Sequence, residues 1–142
     1  MKERFLDITQ EAGAAFVRRN IGGVLVMLNL LRFREKADYS ANPELMPDEP
    51  ISGAEAYQKY IDHTMPLLKQ KGGDLVFLGK GGKYLIGPQN EQWDLVMLVS
   101  HKSVSAFMAF ASNPAYLAGL GHRTAALEDS RLLPLVMSST AT

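Results

Sequence analysis

His122-Arg123 stands directly after Gly119-Leu120-Gly121. An imidazole titrates near neutral pH and can take up a proton, while a guanidinium can hold a carboxylate through paired hydrogen bonds. Glycines lack a Cβ, so another group can come close to the backbone there. His122 is therefore the candidate general base and Arg123 a candidate ligand anchor; the plainer alternative is a pair that caps or bridges helices. Asn29 interrupts an otherwise apolar run over residues 24–31. An unpaired amide there would cost about 1–3 kcal/mol, so it must bond to protein, water or a ligand oxygen. Arg32 follows at the carboxyl end of the run, placed to catch an anion or to form an ordinary surface ion pair. Tyr60 and His63 are three residues apart and share a helix face with access to the same site, although Tyr60 serves equally well as core. Trp93 completes the set of candidate ligand contacts, with core packing as its alternative. Because Trp93 and Asp94 project to opposite faces of a strand, only one of them can line a given cavity. His101, at a strand end, is expected in solvent.

Other chemistries lack their residues. With no cysteine and three scattered histidines, disulfides, thiolate nucleophiles and structural zinc are not expected. Gly79-x-Gly81-Gly82 opens no helix and is no dinucleotide fingerprint, and a G-x-S-x-G elbow is missing. No motif implies a cofactor. Fifteen basic residues balance fifteen acidic ones, which leaves no field for a nucleic-acid backbone. The N-terminus leads into no apolar signal segment and no run is long enough to span a bilayer, so the expectation is a cytoplasmic protein without a membrane or nucleic-acid partner.

The elements that must position these residues follow from patterning. The 142 residues, 46% hydrophobic and 21% charged, suit one domain that buries roughly 68% of its unfolded surface. Residues 1–21 read as a helical extension with a helix over 8–19, and 22–137 as the core. Val24-Leu25-Val26-Met27-Leu28-Asn29-Leu30 is echoed by Leu95-Val96-Met97-Leu98-Val99, and each run leads into a helical pattern and a further apolar run. One strand-helix-strand unit is thus written twice. Residues 34–53, with Pro43, Pro47 and Pro50, read as a long surface loop of the kind used for lids and binding. Ser52-Gly53-Ala54-Glu55 is a capping box that opens a helix ending near Gly72-Gly73. Residues 74–79 and 83–87 read either as one bent strand with a bulge or as a short hairpin. A strand over 93–100 follows, then a crossover broken in two at Asn113-Pro114, and a last strand over 131–137.

Right-handed crossovers turn this order into an α+β fold: a ferredoxin-like βαββαβ domain, its four-stranded antiparallel sheet carrying both crossovers on one face. The strands are apolar on both sides. At about 25 cal/mol per Å², a bare face would leave roughly ten kcal/mol of burial unrealised. A second copy stacked sheet on sheet is the favoured cover, with the N-terminal helix as the alternative.

Met27-Leu28-Asn29-Leu30-Leu31-Arg32-Phe33, Trp93-Asp94, Asn113-Pro114-Ala115-Tyr116 and His122-Arg123 together resemble a bacterial domain-of-unknown-function family of the dimeric α/β-barrel superfamily, over about residues 22–137. The resemblance implies a homodimer with a pocket in each subunit between sheet and helices, and no established reaction. Three functions remain open: a binder of a small carboxylate or enolisable ligand that works as a cofactor-independent enzyme; a haem-degrading monooxygenase of the superfamily, to which Asn29, Trp93 and His122 are a loose match; and a non-catalytic dimeric structural module.

Overall fold

The computed structural model describes residues 3–141. Its elements are α1 (Gln10–Arg18), β1 (Leu25–Phe33), a 3-10 turn (Pro43–Leu45), α2 (Gly53–Gln70), β2 (Asp74–Lys80), β3 (Leu95–His101), α3 (Val104–Ala111), α4 (Pro114–Leu117), α5 (Leu120–Ala126) and β4 (Leu127–Val136). The sheet order is β2-β3-β1-β4, every neighbouring pair antiparallel, with α2 and the α3–α5 run as the two crossovers. This is the ferredoxin-like βαββαβ arrangement, with α1 added in front.

Local chemistry sets the boundaries. Ser52 Oγ accepts from the Glu55 amide and Glu55 Oε1 accepts from the Ser52 amide, both at 3.0 Å, so the capping box forms as its spacing predicts. Gly53 starts α2 in a gap that a side chain would fill: a Cβ would lie 2.7 Å from the Ala126 carbonyl oxygen and would overlap that of Arg34. Asn113 and Ser103 cap α4 and α3 through their side chains, which breaks the second crossover where Asn113-Pro114 predicts.

In register, Asn29 lies opposite Met97 on β3 and Leu132 on β4. Alternation puts Leu25, Met27, Asn29 and Leu31 on the side facing the helices, where Leu25 and Leu31 are completely buried. Leu31 belongs to a core with Tyr39, Ala56, Tyr57, Met97, Ala125, Ala126 and Leu127. The opposite side carries Val26, Leu28, Leu30, Val96 and Leu98, all half-buried, with Phe77 and Leu133 each 53% exposed. It stays apolar, and no helix among the described residues covers it. α1 does not close it: Phe16 meets the Phe107 ring edge-on at 6.1 Å, and Phe107 packs on His101 of the helix-facing side.

One alternative is decided and two local expectations are corrected. The run over 74–79 resolves to one strand with a bulge between Leu75 and Phe77, while 83–87 is loop held by a single Lys83–Gln92 bridge. β4 begins at Leu127, four residues ahead of the expected start, because Leu127 is fully buried opposite Phe33 across a bulge. His101 is not solvated. It is 3% exposed, with its ring 5.0 Å from Phe107 and 5.7 Å from Phe110, and that burial holds its pKa below the usual histidine value.

Candidate functional site

α5 presents two neighbouring residues to two different clusters. Arg123, half-buried, aims at the interior: its Nη1 donates to the Leu6 carbonyl at 2.9 Å, and it lies near enough to Tyr57 and Tyr60 to act on both electrostatically. No carboxylate lies within 4 Å of Arg123 among the described residues. The tyrosines line up along α2 and across to α4. Tyr57 packs on Phe33 at 5.4 Å and on Tyr60 at 5.1 Å, and the Tyr60 and Tyr116 hydroxyls share a hydrogen bond of 2.8 Å. Tyr57 donates only to the Met97 sulfur, at 3.7 Å, a weak acceptor. Burial, with the neighbouring tyrosines, pushes the Tyr60 hydroxyl well above its ordinary pKa, so it stays protonated and can act as a hydrogen-bond donor.

His122 points the other way, into the loop over 34–53. Its Nδ1 shares a 2.8 Å hydrogen bond with the Tyr39 hydroxyl, the rings meeting edge-on. Burial, then Lys59 and His63, lower the His122 pKa, which keeps the ring neutral near pH 7. The glycines before it do what their missing Cβ atoms suggest. At Gly119 a Cβ would collide with the His63 ring, and at Gly121 it would lie 2.6 Å from Asn42 Cγ. The same loop forms an open recess of about 280 Å³ between Lys36, Ala37 and Tyr39 on one side and residues 46–51 on the other.

The remaining candidates are distributed as follows. Asn29 faces the helices, and its Nδ2 makes one long bond of 3.3 Å to the Met27 carbonyl. Arg32, three residues on, falls on the opposite face, across from Asp129. His63 is exposed at the back of the His122 cluster, where its Nε2 donates to the Ala115 carbonyl at 2.7 Å. Trp93 lies in the loop ahead of β3, 3% exposed, in a separate cluster. Its Nε1 donates to the Tyr84 hydroxyl at 2.7 Å, and its ring stacks on the Arg131 guanidinium at 4.9 Å, whose other neighbour is Phe5 at 4.7 Å. The sequence reading missed Tyr39, Tyr57 and Tyr116 as site residues, and it missed Thr64, a 6% exposed residue of α2 whose hydroxyl has no partner. Tyr57 and Thr64 carry a local signal, since polar hydroxyls recur on an otherwise apolar helix stripe. No group of three or more metal-binding side chains comes together among the described residues.

The family described as Domain of unknown function (DUF1330) matches residues 48–135. Two crystal structures of RPA0582, a protein of unknown function from Rhodopseudomonas palustris, resemble the whole chain at 37% identity. One, of the methylated protein, has a TM-score of 0.85 with 98% of both chains covered, and the other a TM-score of 0.84 with 97% of this chain and 100% of that one. At3g17210 from Arabidopsis thaliana shares the fold at 12% identity and a TM-score of 0.52, over 83% of this chain and 99% of its own. No curated protein matches the chain. No described helix is long and apolar enough to cross a membrane.

Proposed function

The chain belongs to the DUF1330 domain-of-unknown-function family, and for this member we propose binding of a small organic carboxylate or enolisable ligand between sheet and helices, at Arg123. One observation carries the reading: a half-buried guanidinium spends a hydrogen bond on a backbone carbonyl and has no carboxylate partner among the described residues. Guanidinium groups held that way gain most from an anion that accepts two parallel hydrogen bonds. The Tyr60–Tyr116 hydroxyl pair supplies a neutral donor to a second ligand oxygen, and the Asn29 amide, underused by its own chain, orients the ligand from the sheet. His122 stands outside this reading: it turns away from Arg123 into the loop over 34–53, where its Nδ1 shares a hydrogen bond with the Tyr39 hydroxyl.

The protein works as a homodimer stacked sheet on sheet, because Val26, Leu28, Leu30, Leu98 and Leu133 leave an apolar face that no helix among the described residues covers. A reducing cytoplasm suits a chain without cysteine.

The test is a thermal-shift panel of small carboxylates on the unaltered chain and on Arg123→Gln. A ligand that raises Tm for the first and not for the second supports the site. Equal stabilisation of both removes Arg123 from it.

A further inference from the structure

The Arg123 site is already occupied from within. Leu6, in the segment ahead of α1, places its carbonyl oxygen on the Arg123 guanidinium and packs against the buried core cluster to which Leu31 and Tyr57 belong. We propose that residues 4–6 form a displaceable strap, and that the ligand it stands in for is a short branched aliphatic carboxylate, with one carboxylate oxygen where the Leu6 carbonyl sits and the alkyl tail where its side chain packs. The inference rests on the anion-site reading of Arg123.

The strap is held by polar contacts that a ligand could outbid. The Phe5 amide donates to Asp129 Oδ1 at 2.9 Å, Ser130 Oγ donates to the Phe5 carbonyl, and Arg4 reaches the Leu127 and Glu128 carbonyls. None of these is a ladder bond between strands. Behind the strap, α1 buries no residue of its own and touches the domain through Phe16 on Phe107 and a 3.4 Å bond from Arg19 to the Pro134 carbonyl. Segments with so few buried contacts open at the low end of a protein's range of local stabilities. A carboxylate, in turn, brings a full negative charge to the guanidinium and can accept two parallel hydrogen bonds, where the peptide carbonyl offers a dipole and accepts one. Strap and ligand therefore compete for one cation, and the apparent affinity falls by the fraction of time the strap is closed.

The probe is 4-methylpentanoate, which has the acyl chain of a leucine residue without its amine. Its Kd is measured by NMR titration on the full chain and on the Leu6→Ala, Ser130→Ala and Arg123→Gln variants, each checked for its fold by circular dichroism. Loosening the strap should tighten binding roughly fivefold in Leu6→Ala and in Ser130→Ala, the equivalent of one hydrogen bond, and Arg123→Gln should abolish it. On the unaltered chain, hydrogen exchange at the Phe5 amide should accelerate severalfold when the probe saturates, a readout that holds even where a variant unfolds. Arg123-dependent binding of unchanged affinity in both strap variants, with Phe5 exchange unaltered, overturns the strap and leaves the anion site standing. Binding indifferent to Arg123→Gln, or no binding by any of these chains, overturns both.

Discussion

Replacing Thr64 with valine should make the protein more stable. The Thr64 hydroxyl is buried on α2 and has no hydrogen-bond partner. A buried hydroxyl without a partner keeps its full desolvation cost, about 1–3 kcal/mol. Valine has the same shape and the same β-branching, so packing and helix propensity nearly cancel and the substitution removes mainly that cost. We expect a gain of about 1–2 kcal/mol in urea denaturation, and a rise in Tm of roughly 3–6 °C for a domain near this size. Thr64→Ser is the control: it keeps the hydroxyl, deletes a buried methyl and should lose about 1 kcal/mol. All three chains are compared at one protein concentration, since association feeds into apparent stability. A Thr64→Val chain that is equally or less stable would falsify the reasoning, for the hydroxyl would then be satisfied in solution.

Gly53→Ala forces a Cβ into the Arg34 and Ala126 carbonyl oxygens and should cost about 3 kcal/mol or more, read by a chemical melt; a cost under about 1 kcal/mol means α2 can shift aside. His101 and His122 both have pKa values lowered by burial, so the folded state binds fewer protons than the unfolded one and stability rises with pH. Their contribution is complete above the ordinary histidine value near 6.5 and is lost as pH falls through it toward the lower folded values. Urea melts between about pH 7.5 and about pH 5 check this, and His101→Phe should flatten part of the slope; an unchanged slope rules His101 out as its source. Leu133→Lys places a charge on the open sheet face and should shift light scattering from dimer toward single subunits; an unaltered chain that is already a single subunit at micromolar concentration refutes the stacking.

What could be read from the residues was local. Ser52 and Glu55 are three apart and find each other whatever the fold does, and the repeated apolar runs of β1 and β3 need only the arithmetic of crossovers to become a four-stranded sheet. What could not be read was set by distant partners. Tyr39 meets His122 across 83 residues and Arg123 meets Leu6 across 117, separations at which no periodicity signals contact. His101 looked solvated because Phe107 and Phe110 reach it only after α3 folds back. Glu128 and Asp129 fall ahead of the strand expected over 131–137, yet they lie on β4, where the Glu128 carbonyl and the Asp129 carboxylate hold Arg4 and Phe5.

The stack of Phe5, Arg131 and Trp93 gives the molecule an optical reporter of its own. Trp93 is the only tryptophan in the chain, so indole emission comes from a single place. Its ring lies against a guanidinium whose other neighbour is the Phe5 ring. If residues 4–6 leave, Arg131 loses its Phe5 wall and water gains access beside the indole, which shifts the emission of that one fluorophore. Opening can then be timed in a stopped-flow cuvette on the unlabelled, unmutated chain.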